Sequence, residues 1–179
     1  VNDTIDNQPV LVSYCPLCQT GIVFDRTVNG QVREFGVSGM LWQSNVLMYD
    51  RQPDGNEDNE TLWSQVIGQG VVGPNTGDRL RIINSNVMTF DQWKQAHPGG
   101  VVLERESGGY PIRSYNSDPY GDYYTDNDAV WFTDFTDTRL PAKAVVLGIE
   151  GGGATKVYVK DALPIGVTAD TFNDQSIAI

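Results

Sequence analysis

Short runs of β-branched and aromatic residues, each ended by Gly, Asn, Asp or Pro, recur along most of this chain. Residues 9–14 (PVLVSY) and 21–26 (GIVFDR) are two such runs, and their length and composition predict strands. The same pattern predicts strands at 45–51, 61–68, 79–84, 101–104, 129–135, 144–150 and 156–161. Between the early runs and residue 37 stands Asn29-Gly30, a pair that tolerates positive φ and so predicts a tight hairpin turn. Gly151-Gly152-Gly153 separates the last two runs and predicts another hairpin.

One segment carries helical signals instead. In TFDQWKQAHPGG (89–100), Thr89 is followed three residues later by Gln92, the pattern of a capping box. Phe90, Trp93 and Ala96 then fall on one side as the expected buried face, and Pro98-Gly99-Gly100 ends the element. Residues 52–60 and 107–128 are polar and irregular. The expected fold is mainly β (α+β): a single β-rich domain of antiparallel hairpins with one short helix around 89–97.

Composition narrows the function classes. A chain of 179 residues buries roughly 70% of its unfolded surface, enough for a core without disulfide staples. Twelve Lys and Arg face 23 Asp and Glu, a net charge of −11. That balance offers no basic footprint for nucleic acid and would be repelled by an anionic membrane surface. No apolar run reaches the roughly 18 residues of a membrane-spanning helix, so no direct membrane insertion is expected. The chain starts at Val1 with neither an initiator Met nor a leader, as expected of a processed chain or a piece of a longer one. Asn2-Asp3-Thr4 and Asn59-Glu60-Thr61 are glycosylation sequons.

Candidate chemistry centres on SYCPLCQTG (13–21), which holds both cysteines of the chain, Cys15 and Cys18. Three chemistries use a C-x-x-C pair: thiolate ligation of copper or zinc, redox exchange, and a structural disulfide. A second C-x-x-C is absent, so a four-thiolate zinc site within one copy is excluded. Further ligand candidates are His97, Met40, Met48 and Met88, with helix capping the ordinary role for His97 and core packing the ordinary role for the methionines. A thioredoxin-like setting would place a long helix after the pair, whereas residues 19–26 read as a strand.

A second cluster, Asp54, Asn56, Asp58 and Glu60, alternates along DRQPDGNEDNETLW and suggests calcium, set against a plain acidic loop. The sixth-position glycine and distal glutamate of an EF-hand loop are missing. Residues 116–128 support the same two readings and add three tyrosines. No nucleophile elbow, phosphate loop or dinucleotide fingerprint is present, and the carboxylates select no catalytic pair.

Together, YCPLC, FGVSGMLWQSNVLMYDRQ, TLWSQVIGQGVVGP, TFDQWKQAHPGGVVL, DPYGDYY and LPAKAVVLGIE resemble, in this order, the bacterial and archaeal family known as domain of unknown function 3179. The resemblance covers residues 1–163 as one β-rich domain and leaves 164–179 as a tail or strand. It implies an extracytoplasmic setting, without an established activity. It also implies a family segment before Val1 that ends in a histidine–glutamate pair, so a metal site using that histidine would be incomplete here. Residues 144–164 echo the family's upstream hairpin, as a worn internal repeat would. Two departures stand out: PDGNEDNE lengthens a short family turn, and Gln19 occupies a position commonly glycine.

Two functions follow as expectations. One is an extracytoplasmic module whose Cys15–Cys18 pair is a disulfide, a copper or zinc site or a redox site, with Arg26, Asp50 and Arg51 as polar support. The other is a structural subunit of a filament or surface layer, homo-oligomeric through strand pairing by residues 165–179 and calcium-stabilised.

Overall fold

A computed structural model describes residues 1–102, 118–127, 130–134 and 137–179. The chain divides into two compact units, Val1–Pro119 with Trp131–Asp134, and Tyr120–Val130 with Phe135–Ile179. Both are built from antiparallel hairpins, and the described residues contain one α-helix.

In the first unit the strands are β1 (Asn2–Ile5), β2 (Gln8–Cys15), β3 (Thr20–Asp25), β4 (Thr27–Val28), β5 (Gln31–Val32), β6 (Glu34–Trp42), β7 (Asn45–Arg51), β8 (Leu62–Ser64), β9 (Gln69–Val72) and β10 (Ile82–Ile83). Two four-stranded sheets result, in the orders β1-β2-β3-β10 and β6-β7-β8-β9, beside the β4-β5 ribbon. Asp6-Asn7, Asn29-Gly30 and Gln43-Ser44 each supply two consecutive positive φ angles at a hairpin turn. Such turns match the right-handed twist of the flanking strands.

The core draws on both sheets: Leu11 and Phe24 from one, Phe35, Met48 and Trp63 from the other, with Val28 from β4 and Leu80 from the loop before β10. Phe35 meets Trp63 edge-on at 5.9 Å, the arrangement that ring quadrupoles favour. Alternation along β2 turns Leu11, Ser13 and Cys15 inward and Val12 and Tyr14 outward. The hydrophobic pattern of β2 therefore fixes Cys15 on the core side.

The second unit holds β11 (Val146–Gly151) paired with β12 (Ala154–Val159), and β13 (Ala169–Phe172) paired with β14 (Gln175–Ala178). Lys156 Nζ contacts Asp170 Oδ2 at 2.6 Å, and Tyr158 Oη donates to the same oxygen at 2.8 Å, joining the two hairpins. A 3₁₀ turn at Gly121–Tyr124 buries Tyr123, whose ring lies under Lys143 Nζ.

Several expectations change. The helix α1 (Phe90–Ala96) has its Thr89–Gln92 capping box, yet none of its residues is buried, and Phe90 is 57% exposed. Stacking of Phe90 on Trp93 at 5.8 Å replaces the expected core face. Residues 61–68 and 79–84 keep only short strands: after Ser64 the chain turns, with the Gly68 N–H donating to the Ser64 carbonyl at 2.9 Å, and residues 79–81 precede the two-residue β10. Val101, Val102 and residues 130–134 lie outside any strand; residues 103–104, 129 and 135 lie outside the described residues. Of 116–128, residues 116–117 and 128 are likewise outside. The tail 165–179 contains a complete hairpin, β13-β14, rather than one unpaired strand.

Candidate functional site

The cysteine pair occupies the hairpin turn between β2 and β3. Cys15 is the last residue of β2 and pairs with Thr20, the first of β3. Pro16, Leu17, Cys18 and Gln19 make the turn, closed by Gln19 N donating to Pro16 O at 3.4 Å. Gln19 sits at φ +50, a left-handed conformation in which a side chain is costly. Glycine would adopt that backbone without the cost of a side chain.

Both cysteines are free thiols, Cys15 fully buried and Cys18 exposed. A hydrogen bond from Cys15 is the largest cause that lowers the Cys18 thiol, to about 5, with help from Thr20 and Asn45. The same bond and burial push the Cys15 thiol strongly upward. The shifts run in opposite directions, so of the two thiols Cys18 is the one favoured to ionise. In a thioredoxin-like site a helix terminus would favour the thiolate; on this hairpin, side-chain donors do so.

Those donors belong to a buried polar network. Asn45 Nδ2 donates to Cys18 Sγ at 3.2 Å and to Gln65 Oε1 at 3.0 Å. Asn45 Oδ1 accepts from Ser64 Oγ at 3.3 Å and from the Val66 N–H at 3.0 Å. Gln65 Nε2 donates to Ser13 Oγ at 3.2 Å and to the Thr20 carbonyl at 3.0 Å. Ser13 Oγ passes its own hydrogen to the Ile22 carbonyl at 2.8 Å. Ser13, Asn45, Ser64 and Gln65 are all buried. Buried polar groups are costly unless satisfied, and every one of these four has a partner.

Sequence reasoning missed Asn45, Ser64 and Gln65. Their signal was polar character inside apolar runs, SNVLMY and LWSQVI, where a surface residue is not expected. Arg26, Asp50 and Arg51 are instead engaged elsewhere. Arg26 donates to the carbonyls of Asp3 and Arg33. Arg51 reaches Tyr49 Oη and Glu34. Asp50, fully buried, accepts from the Thr61 N–H at 2.5 Å and from Asn75 Nδ2 at 3.2 Å, which anchors the loop before β10.

A tetrahedral zinc ion would find two thiols here but no gathered third ligand, since no group of three or more His, Cys, Asp or Glu occurs among the described residues. His97 caps α1 through its backbone N–H to Trp93 O, and its ring lies against Trp93. Met48 is in the core, while Met40 and Met88 are exposed. Asp54, Asn56, Asp58 and Glu60 form a run of local turns. Asp54 Oδ1 accepts from the Asn56 N–H, and Asn56 Oδ1 from the Asp58 N–H, capping a 3₁₀ turn over Glu57–Asn59. One carboxylate oxygen and one amide oxygen of the run are thus engaged by backbone N–H groups. Asn2, in the first sequon, exchanges two hydrogen bonds with the backbone of Phe35, so its amide nitrogen is engaged.

No curated protein matches this chain, and no solved structure does. A family model described as "Protein of unknown function (DUF3179)" matches residues 1–179. The match spans the strands, the cysteine turn and the polar network alike, and the chain belongs to this family of proteins of unknown function.

Proposed function

We propose that Cys15 and Cys18 are a thiol–disulfide exchange couple, with Cys18 as the outward nucleophile and Cys15 as the buried partner that resolves it. The supporting observation is the asymmetry of the pair: two free thiols on one turn, Cys15 buried and Cys18 exposed, with Asn45 Nδ2 aimed at Cys18 Sγ. Attack by the Cys18 thiolate on a disulfide forms a Cys18 mixed disulfide and releases one thiolate, which takes a proton from water. Cys15 then loses its proton and attacks Cys18 Sγ, expelling the second thiol. The substrate disulfide is reduced to two thiols and the pair is oxidised to its disulfide; the reverse sequence oxidises a dithiol. We place this couple in an extracytoplasmic setting, where the disulfides it would exchange with persist.

The test uses a small chromogenic aryl disulfide and intact-mass analysis. The reduced protein is expected to release both aryl thiols and end two hydrogens lighter, without an adduct. Cys15→Ser should retain one aryl group on Cys18, and Cys18→Ser should react far more slowly because Cys15 is buried. Equal reactivity of the two single variants, or a stable adduct on the parent protein, would overturn the proposal.

A further inference from the structure

We infer that Asn45, fixed by Gln65, Ser64 and the Val66 N–H, holds the couple toward its dithiol form, so that its disulfide form acts as an oxidant of substrate dithiols. The inference rests on the exchange couple proposed above. Its starting point is that neither buried amide can be turned around. The Val66 N–H can only donate, so the Asn45 atom facing it must be the oxygen. The Thr20 carbonyl can only accept, so the Gln65 atom facing it must be the nitrogen. Gln65 therefore offers its oxygen to Asn45, and Asn45 has only its NH₂ group left to face Cys18 Sγ. A positioned donor is aimed at a sulfur that occurs as an acceptor.

A thiolate accepts that bond as a charged group, and charge-assisted bonds are about twice as strong as neutral ones. A disulfide sulfur is neutral and a weak acceptor. Oxidation therefore leaves the Asn45 N–H poorly paired in a buried site, which costs free energy that the dithiol form does not bear. A dithiol form stabilised in this way makes the corresponding disulfide more oxidising.

The reaction so favoured balances as follows. A substrate thiolate attacks Cys18 Sγ, the Cys15–Cys18 bond breaks, and Cys15 leaves and takes a proton. The second substrate thiolate then attacks its own partner sulfur in the mixed disulfide. That step closes the substrate disulfide and expels Cys18 as the thiolate facing Asn45. Two electrons pass from the substrate dithiol to the pair; of the two substrate protons, Cys15 keeps one and solvent takes the other. The substrate class is a peptide or protein carrying two neighbouring thiols.

Asn45 acts here as a positioning residue, and a redox equilibrium reads that role where an activity alone would not. The parent protein, Asn45→Ala and Asn45→Asp are equilibrated against reduced and oxidised glutathione, and the fraction of disulfide is measured by intact mass after acid trapping. Asn45→Asp keeps acceptors for Ser64 and Val66 but turns an oxygen toward the sulfur. Both variants are expected to favour the disulfide by about tenfold or more relative to the parent, a potential lower by roughly 30 mV. Folded variants with the parental equilibrium would overturn this inference while leaving the exchange couple standing. A parent protein that forms no reversible disulfide would overturn both. Should the variants not fold, NMR of the parent decides: the Asn45 side-chain amide signals must shift between the dithiol and disulfide forms, and unchanged signals would refute the inference.

Discussion

Cys18 gives the sharpest residue-scale expectation, because its charge is held by hydrogen bonds rather than by a neighbouring cation. The thiolate is the reactive form, and its folded value near 5 lies below that of a free thiol. Alkylation by iodoacetamide should therefore be lost only as pH falls through about 5, whereas a free thiol loses reactivity below about 8.5. A pH–rate profile of Cys15→Ala should move upward, since a hydrogen bond from Cys15 is the largest source of the shift; an unmoved profile would contradict that cause. Gly68 makes a different kind of demand. It stands at φ +60, and a Cβ there would lie 2.7 Å from the buried Phe24 ring. Gly68→Ala should cost about 2–4 kcal/mol, combining a strained left-handed backbone with overpacking, and urea unfolding measures it. The cysteines were legible in the sequence because a C-x-x-C pair declares itself within four residues. Asn45 and Gln65 were not, because their partners lie 20 to 52 residues away.

At the scale of elements, the helix and the final hairpins depend on local side-chain bonds. Thr89 accepts from the Gln92 N–H, and Gln92 Oε1 accepts from the Thr89 N–H, while the helix buries none of its residues. Thr89→Ala should weaken α1 by about 1 kcal/mol, which hydrogen exchange of the Trp93 and His97 amides would register as roughly fivefold faster opening. β12 and β13 meet through Lys156, Tyr158 and Asp170, and the bond from Lys156 brings the Asp170 carboxyl down to about 2. A depressed carboxylate contributes above its unfolded value and is lost as pH falls through its folded value. Contacts between β12 and β13 should therefore weaken between about pH 4 and 2, and Lys156→Ala should move the Asp170 titration seen in NMR shifts upward toward the ordinary carboxylate range. The Asn29-Gly30 turn was legible because the pair announces positive φ. Gln43-Ser44 reaches the same geometry without such a signal, since the pairing of β6 with β7 imposes it.

For the whole molecule, the state of the cysteines is coupled to the stability of the fold. A disulfide across Cys15–Cys18 closes a very short loop, so chain entropy contributes only about 2 kcal/mol at most. Loss of the Asn45 bond to a thiolate opposes that gain. If the folded protein prefers the dithiol more than the unfolded chain does, the reduced form must be the more stable one. A higher denaturant midpoint for the reduced protein than for the oxidised protein is expected, and the reverse order would count against the oxidant reading. The sequence alone determined the β-rich class, the capped helix, the hairpin turns at Asn29-Gly30 and Gly151–Gly153, the acidic balance of charge and the cysteine pair. Each of these depends on neighbours within a few residues: alternation, turn-forming pairs, a capping box, a two-residue spacer. Only the tertiary structure decided which thiol is buried, which is charged and what faces it. Those properties arise where β2 and β3 meet Asn45 at the start of β7 and Gln65 just after β8, and hydrogen-bond partners so far apart along the chain leave no periodic trace in it.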